Sequence, residues 1–397
     1  MKLFAGVRVL DLSRMLAGPY GSMLLADMGA EVIKIEDPDG GDPMRAMGPP
    51  FLPNGESAYF LAINRNKKSV VIDLTQAAGR GVFLDLVRKT DVVWENFRPG
   101  VLARRGCDYP ALAAVNPGIV MCSISAYGQD GPYRDAPAFD LALQAMGGAM
   151  SLTGEEDGPP VRMGLPMGDL AGGMFGAFAV AGALYRRTIA GVGAHIDLSL
   201  LDCQVSLLTY LAQYFWTDGR VPRRIGSAHS SVVPYGALPT RDGHLIVAVF
   251  AEKFWGAFCR AVDHPEWAQD PRFATNRDRV AHRSVLLPLV ERAFAERTTE
   301  EWLTRLRQHD VPTAPILSVD RVLADPQVRH RGMVAEVHHR DLGTLPTLGT
   351  PIKIDGADKV DLDSPPSLGE HTDETLKTVL GYADVRVAEL REAGAVK

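Results

Sequence analysis

Short apolar runs alternate with helical patterns along the first half of the chain. The run at 7–12 leads into a turn with Pro19, and proline suits the first turn of a helix, which here extends to about Gly29. A second apolar run at 31–36 completes a βαβ unit and predicts a parallel sheet. Further strands are predicted at 69–74, 91–96, 119–124 and 195–200, and helices at 75–89, 139–150 and 201–215. The alternation predicts an α/β fold with a Rossmann-like open parallel sheet.

The pattern changes near Thr217, where a polar, loop-like stretch begins. Strands are predicted at 235–238 and 244–250, and helices at 252–262, 279–296 and 300–309. Thr298 and Glu301 have the spacing of a capping box. After Gly332, short strands, one of them at 351–355, alternate with Gly/Pro turns before a final helix. We therefore predict three parts, namely a large domain at 1–220, a smaller α/β domain at 225–330 and a C-terminal segment at 333–397 that returns to the large domain.

The stretch 164–176 places one carboxylate, Asp169, between two groups of glycines. Pro166 and Gly168 interrupt regular structure, so a helix is predicted from Asp169 to about Arg187. Aspartate is a favoured N-cap, and the small residues of this helix leave room for another backbone or a long thin ligand. The alternative to a cap is a nucleophile that attacks an activated carbonyl and forms an anhydride, helped by the helix N-terminus. Spacing alone leaves both interpretations open.

Basic residues follow several of the predicted strands, where an open α/β sheet binds anionic ligands. The candidates for phosphate contacts are Lys67, Lys68, Arg98, Arg104 and Arg105, with solvated surface charges as the alternative. The first βαβ unit lacks the G-x-G-x-x-G pattern, so a nicotinamide cofactor is disfavoured. The N–H groups of the helix after Gly18 are candidates to hold a phosphate or a thioester oxygen, and an ordinary turn is the alternative.

Composition narrows the class of protein. The chain of 397 residues is 46% hydrophobic and 23% charged, as expected of a soluble globular protein, and its formal charge of −6 argues against a general nucleic-acid binder. The four cysteines are far apart and lack metal spacing, which predicts buried free thiols in a reducing cytoplasm and no metal site. The N-terminus resembles no secretory signal, and the apolar stretch 170–184 is too short and glycine-rich to span a bilayer. We expect a cytoplasmic protein without a membrane partner.

Eight short motifs stand in a specific order along nearly the whole chain. They lie at 6–11, 17–19, 31–36, 64–69, 95–100, 127–132, 168–169 and 368–372. Together they resemble the class III CoA-transferases, the group of formyl-CoA transferase and carnitine CoA-transferase, to which the α-methylacyl-CoA racemases are related. Because the order and not any single motif is specific, the resemblance rests on all eight.

The resemblance implies that Asp169 is the nucleophile and that the protein is an interlocked homodimer. It places CoA contacts at Leu16, Ala17, Ile72, Asp73, Leu74, Thr75, Asn96, Phe97, Arg98, Arg104, Ala138, Phe139 and Asp140. Two positions depart from the family pattern. A CoA-contacting arginine of some members is Asp37 here, which implies different contacts at the adenine end, and a glutamine of formyl-CoA transferase is Leu16 here.

The implied activity moves CoA from an acyl-CoA donor to a free carboxylic acid through an aspartyl anhydride and an aspartyl-CoA thioester, with a small dicarboxylate such as succinate as donor or acceptor. CoA and acyl-CoA are then substrates, and no cofactor is bound permanently. One alternative is a 2-methylacyl-CoA racemase, but the His-Asp pair of the racemases is Phe139-Asp140 here and lacks the second base. Another alternative is a non-catalytic CoA-binding protein. Candidates for contact with the acceptor carboxylate are Arg223, Arg224 and His229, with a polar linker as the alternative.

Overall fold

A computed structural model describes residues 2–356 and 361–397 of the chain. Two compact units are present, a larger one made of 1–149, 162–213 and 327–397 and a smaller one made of 150–161 and 214–326. Residues 357–360, which belong to the predicted C-terminal segment 333–397, lie outside the described residues.

The larger unit alternates strands and helices, as its hydrophobic pattern predicts. Its first part contains β1 (Arg8–Asp11), α1 (Ala17–Asp27), β2 (Glu31–Glu36), α2 (Ala58–Ile63), β3 (Lys67–Val71), α3 (Ala77–Val87), β4 (Val92–Glu95), α4 (Val101–Arg104), α5 (Tyr109–Val115) and β5 (Val120–Ser125). There follow α6 (Asp140–Met146), α7 (Ala149–Leu152), α8 (Met167–Ala190), β6 (Ala194–Ser199), α9 (Leu200–Ser206) and α10 (Tyr210–Asp218), of which α7 and α10 cross the boundary between the units.

The sheet of the larger unit has six parallel strands in the order β3-β2-β1-β4-β5-β6. The order reverses between β1 and β4, which is the Rossmann arrangement predicted from the sequence. Strands β1, β4 and β5 are buried along nearly their whole length, as expected of a parallel sheet that is covered on both faces. The edge strand β6 instead alternates between half-buried and exposed residues. One face packs against α3 and α5, and the other packs against α1 and α8.

Helices α1 and α8 pack closely through glycines. A β-carbon at Gly173 would lie 2.8 Å from the Ala17 carbonyl oxygen, and one at Gly176 would lie 2.6 Å from the ring of Trp94. Trp94 is fully buried, and its Nε1 donates to the Gly18 carbonyl at 3.0 Å. Of the two possibilities for the glycine-rich face of α8, a backbone or a thin ligand, the structure therefore shows the backbone of α1.

Helix α8 is long and apolar enough, by length and composition, to cross a membrane. It has 24 residues, more than the apolar stretch 170–184 considered from the sequence. The same test is passed by a core helix of a soluble protein. Its glycine face contacts α1 and Trp94 as described above, so part of this helix belongs to the protein interior.

The smaller unit contains β7 (Tyr235–Pro239), β8 (His244–Ala248), α11 (Glu252–Ala261), α12 (Asn276–Ala281), α13 (Arg283–Phe294), α14 (Thr299–Gln308), β9 (Thr313–Pro315) and α15 (Val319–Ala324). The three strands form an antiparallel sheet in the order β7-β8-β9. Its core is aromatic, with stacked rings of Phe258, Phe294 and Trp302. The capping box predicted for Thr298 and Glu301 is present at the start of α14.

The C-terminal part contains α16 (Pro326–His330), which crosses the unit boundary, then β10 (Val334–His339), β11 (Gly343–Leu348), α17 (Thr372–Thr378) and α18 (Asp384–Glu392). The tail covers the outer edge of β3. His371 N donates to the Ser69 carbonyl at 2.9 Å, and Val71 N donates to the Thr372 hydroxyl at 3.1 Å. Ile72, just after β3, forms an antiparallel bridge with Val396. The tail thus completes the hydrogen bonding of an edge strand.

Several predicted helices differ from those observed, for local reasons. The predicted helix 201–215 breaks at Thr209, which has φ of 44°, and the one at 139–150 breaks at Gly148, which has φ of 89°. The helix at 279–296 is two helices that meet at His282. The short helices α2, α4, α5, α15 and α16 and the short strand β9 were not predicted, and no strand is present at 351–355. The helix predicted at 75–89 from a cap at Thr75 begins later, at Ala77, with Gln76 in the N-cap position, and the Thr75 hydroxyl donates to Asp73 instead.

A network of buried charges lies at the centre of the larger unit. Lys67 Nζ contacts Asp11 Oδ2 at 3.0 Å, and Lys34 Nζ contacts Asp42 Oδ2 at 2.9 Å, with all four side chains at most 1% exposed. Burial by itself would raise the pKa of Asp11, but Lys67, Lys34 and two serine hydroxyls outweigh it and bring the pKa to about 2. Burial lowers the pKa of Lys67 to about 8, against the attraction of Asp11. Removal of one of these charged groups would therefore leave its partner buried without a counter-charge, which is strongly unfavourable.

We predict that Asp11→Asn lowers the free energy of unfolding by about 3–5 kcal/mol, because it leaves Lys67 buried without its carboxylate. Urea unfolding of the variant measures the loss. The control is Glu389→Gln, which breaks the exposed pair with Arg386 and should cost at most about 1 kcal/mol.

The double variant Asp11→Asn/Lys67→Met should recover part of the stability, because it removes the uncompensated charge. A single variant as stable as the wild type, or a double variant no better than the single one, would contradict the assigned role of this pair.

Candidate functional site

A cavity of about 220 Å³ opens in the larger unit at the point where the strand order reverses. Open α/β sheets bind ligands at this point, outside the carboxyl ends of the strands. The lining residues follow β1, β4 and β5 or begin α1, α8 and α9. They include Asp169 and, of the predicted CoA contacts, Leu16, Ala17, Asn96, Phe97, Arg98, Ala138 and Phe139. The topology therefore brings these predicted residues together.

Mutual hydrogen bonds join the loops that follow β1 and β4. Arg14 N donates to Asn96 Oδ1 at 2.8 Å, and Asn96 Nδ2 donates to the Arg14 carbonyl at 2.8 Å. The Arg14 guanidinium lies over the Phe97 ring at 5.2 Å from its centroid. Met15, next in the chain, has a φ of 69°, and Met15 N donates to buried Asp42. These bonds join two loops that form the cavity wall, and Arg14, a cation that the sequence did not identify, lies beside the lining residues Met15 and Phe97.

Asp169 lies in the first turn of α8, which begins at Met167 with Pro166 as the N-cap residue. Of the two interpretations that spacing left open for Asp169, the helix cap is therefore wrong. Its carboxylate is partly buried and accepts no side-chain hydrogen bond among the described residues. Burial, and then the charge of Asp140, raise the pKa of Asp169 to about 7. A carboxylate free of hydrogen bonds at a helix N-terminus is available for attack on an electrophile.

The backbone N–H of α8 that a cap would satisfy is bound by Asp140 of α6. Asp140 Oδ1 accepts from Gly168 N at 2.9 Å, and its Oδ2 accepts from Gln144 Nε2 at 2.6 Å. This explains why Asp169 is left free. The charges of both carboxylates also act on the nearby phenol of Tyr59. Burial, and then the charges of Asp169 and Asp140, raise the pKa of Tyr59.

A second cavity of about 190 Å³ shares Arg98, Pro99 and Arg134 with the first. Buried Glu95 lines it, and Glu95 Oε2 accepts from Phe97 N at 2.7 Å. Burial raises the pKa of Glu95 to about 7, although Ser123 and Phe97 N–H oppose the rise. The Ser123 hydroxyl is 3.0 Å from His195 Nε2. In the sequence, the only signal for this group is a carboxylate at the end of a strand, next to a predicted CoA contact, and these residues were not predicted.

Comparison with known proteins identifies the family. The model of "CoA-transferase family III" matches residues 4–372. The chain belongs to CoA-transferase family III. It is 39% identical over 397 residues to the succinyl-CoA:glutarate CoA-transferase of Mus musculus, covering all of this chain and 91% of the relative. It is 39% identical over 378 residues to the succinate–glutarate CoA-transferase of Agrobacterium fabrum, covering 94% of each chain.

A solved structure agrees with the family assignment. The crystal structure of a CAIB/BAIF family protein from Brucella suis is 38% identical to this chain and covers 95% of it and 99% of its own chain, with a TM-score of 0.84. The predicted α/β class and the predicted family are thus confirmed, and this protein is a CoA-transferase. CoA-transferases use CoA thioesters as substrates.

The remaining predicted CoA contacts of this CoA-transferase lie outside the cavity. Ile72, Asp73, Leu74 and Thr75 follow β3 at the same carboxyl edge of the sheet, three strands from β4, which corresponds to about 14 Å. Arg104 ends α4, and its Nη1 lies 3.3 Å from the position of a β-carbon at Gly100. Asp140 is buried beneath α8 and does not line the cavity, so the structure gives it a positioning role toward Gly168. Contact of CoA with these residues stays a prediction.

The structure corrects the prediction that Lys67 and Lys68 meet phosphates. Both lie at the amino end of β3, whereas the cavity lies at the carboxyl ends of the strands. Lys67 is buried against Asp11, and Lys68 pairs with Glu31 and Glu374. Arg65, in the same motif, is bound to Asp27. Arg98 and Arg104 make no ion pair within the described residues and remain the phosphate candidates, while Arg105 follows Arg104 on the surface.

Other candidate residues are placed as follows. Arg223, Arg224 and His229 belong to the smaller unit, where Arg224 Nη2 donates to the Gly158 carbonyl at 2.9 Å. Asp37 pairs with Arg14 at 3.6 Å. All four cysteines are free and buried, as predicted. The described residues contain no group of three or more His, Cys, Asp or Glu side chains that could hold a metal ion.

We predict that Asp140→Asn moves the acidic limb of the pH–rate profile of CoA transfer to lower pH. Asp169 must be ionised to act as a nucleophile, so the wild-type rate should fall below about pH 7. Removing the charge of Asp140 lowers the pKa of Asp169, while the amide oxygen of the substituted side chain can still accept from Gly168 N. The measurement is kcat/KM between pH 5 and 9.

A stability measurement checks the same pKa independently of activity. The folded protein binds the Asp169 proton more tightly than the unfolded chain, so ionisation of Asp169 destabilises the fold as pH rises toward 7. Asp169→Asn should therefore melt at a higher temperature than the wild type at pH 8, and this difference should shrink toward pH 4. A limb unmoved in Asp140→Asn, or a stability difference independent of pH, would refute the raised pKa.

Proposed function

We propose that this CoA-transferase moves CoA between an acyl-CoA and a free carboxylic acid through covalent intermediates on Asp169, with small dicarboxylates such as succinate among its acids. The observation that carries the proposal is the position of Asp169 in the cavity at the switch point, with no hydrogen bond to its carboxylate in the described structure. The names of the Mus musculus and Agrobacterium fabrum relatives support succinyl and glutaryl groups as the acyl class.

The reaction proceeds in balanced steps from one carboxylate. Asp169 attacks the thioester carbonyl of the donor. The C–S bond then breaks, CoA leaves as a thiolate, and an acyl-aspartyl anhydride remains. The thiolate then attacks Cγ of Asp169, which releases the donor acid as a carboxylate and leaves an aspartyl-CoA thioester. The acceptor carboxylate repeats the two steps in reverse, so no proton is gained or lost. Division of one transfer into such steps lowers each barrier.

Features of the cavity assist these steps. The N-terminus of α8 lies at Asp169, so its partial positive charge stabilises negative charge that develops there. Ala17, at the start of α1, lines the same cavity, and the N–H groups near it are candidates to hold an oxyanion. Phe139 has no titratable group and is 72% exposed, which disfavours the racemase alternative.

We predict that Asp169→Asn and Asp169→Ala reduce CoA transfer at least about a thousandfold, because the covalent nucleophile is gone. Wild-type protein incubated with succinyl-CoA and no acceptor should carry CoA on the peptide that contains Asp169. Hydroxylamine should convert this thioester to a hydroxamate on the same residue, and mass spectrometry locates it. Transfer within tenfold of the wild type in both variants, or an adduct on another residue, would exclude the mechanism.

Arg98→Ala and Arg104→Ala are the matched controls, because they should weaken donor binding without removing the nucleophile. Loss of a charge-assisted bond to phosphate costs about 1.5–3 kcal/mol, so KM should rise about 10- to 100-fold for every acyl-CoA. The adduct on Asp169 should still form. A defect confined to one acceptor acid would place these arginines in the acyl pocket instead.

We further propose that the protein acts as a homodimer, interlocked as the family resemblance implies. A stripe of large apolar side chains is exposed along α8 of the larger unit, with Phe178 79%, Tyr185 70% and Ile189 72% exposed. Burial of such a stripe against a second chain is favourable. Light scattering should give twice the mass of one chain, and Phe178→Glu with Tyr185→Glu should reduce it. A wild-type mass of one chain would overturn this part of the proposal.

A further inference from the structure

A buried amide on α9, Gln204, lies directly against the turn that carries Asp169. Its side chain is 3% exposed. Gln204 Nε2 lies 2.7 Å from the position that a β-carbon at Gly168 would occupy, and its Cβ lies 2.6 Å from the corresponding position at Gly147. One glycine ends α6 and the other begins α8, so two helix ends leave space for this side chain. A larger residue at either position would displace it.

The Gln204 amide nitrogen has no hydrogen-bond partner in the described part of the chain. The neighbouring amide, Gln144, is saturated in comparison, because it donates to Asp140 Oδ2 and accepts from Met163 N. Buried donors without a partner are rare in native proteins and call for an explanation. Asp140 Oδ1 lies 2.9 Å from the same point at Gly168, which favours the amide nitrogen there, since two oxygens would repel each other.

The carboxylate of Asp169 also has no donor, as described above. The unpaired buried donor thus lies against Gly168, the residue that precedes Asp169 in the chain. Asp140 already holds Gly168 N, so the structure does not need Gln204 to fix the start of α8. The free donor is therefore available to a group that exists only during the reaction.

The geometry points to Gln204 as the donor that stabilises the oxyanion formed at the carboxyl carbon of Asp169. This inference rests on the proposed transfer through Asp169. When the CoA thiolate attacks Cγ of the anhydride, an S–C bond forms and the electron pair of the carbonyl bond moves to its oxygen. When that carbonyl re-forms, the bond to the acyl carboxylate oxygen breaks and the donor acid leaves. A neutral amide N–H suits this oxygen because it stabilises the charge without transferring a proton.

The test compares Gln204→Met with the wild type. Methionine has a similar length and no donor, so kcat should fall about 100- to 1,000-fold, as for the loss of one oxyanion donor, with the KM for acyl-CoA nearly unchanged. Removal of an unsatisfied buried donor should leave the melting temperature equal to or above that of the wild type. Gln144→Met is the matched control, since it removes an amide whose bonds are all used and should lower the melting temperature.

Quenched-flow mass spectrometry of the first turnover with succinyl-CoA separates the possible failures. An adduct on Asp169 that forms about 100-fold more slowly in Gln204→Met than in the wild type supports the inference. Formation within about threefold of the wild-type rate overturns it while the proposed function stands. A Gln204→Met variant that melts as low as Gln144→Met also overturns it, because Gln204 would then be structural. Absence of any Asp169 adduct in the wild type would instead reject the proposed function.

Discussion

The larger unit depends on ions buried beneath its ligand crevice. Two lysines, on β2 and β3, and their carboxylate partners are buried inside this unit, where an unpaired charge is strongly unfavourable. Lys34 also donates to the Ser13 carbonyl, and Lys67 donates to the Pro19 carbonyl, so the ions bind the backbone on both sides of Met15. The loop that follows β1 therefore has one arrangement in which all these charges are satisfied. The buried ions thus hold in place the loop after β1, which forms part of the crevice wall.

The chemistry of the cavity arises from a division of labour between two aspartates. Asp140 satisfies the first turn of α8 from a neighbouring helix, a role that spacing alone allowed for Asp169. Relieved of it, Asp169 stays without hydrogen bonds in the helix N-terminal field, where the nearby negative charge of Asp140 also acts on it. Because the Asp169 carboxylate is poorly stabilised in the resting protein, less stabilisation is lost when it attacks an electrophile and forms a covalent bond. The same arrangement makes the pKa of Asp169 a property of the pair and its burial.

The sequence predicted those features that depend on local patterns. The strand 31–36 was placed to the residue, and the order of strands and helices predicted the parallel sheet. It did not predict long-range relations between side chains. The capping of α8 by Asp140 joins positions 28 residues apart, and the burial of Lys67 depends on Asp11, 56 residues away. Gln204 belongs to no sequence motif. Its distinguishing feature is a buried amide nitrogen without a hydrogen-bond partner, which only the three-dimensional structure reveals.

The tail that covers β3 has a consequence for solubility. A long edge strand with free N–H and C=O groups is a template on which another chain can add a strand. Here the groups of Ser69 and Val71 that face outward are bound by His371 and Thr372, and the following residue pairs with Val396 near the chain end. Residues His371, Thr372 and Val396 therefore protect the edge of β3 from pairing with a strand of another chain. The edge of β3 stays open to other chains until residues 371–396 pack against it, so a partly folded protein is more prone to strand addition than the finished fold.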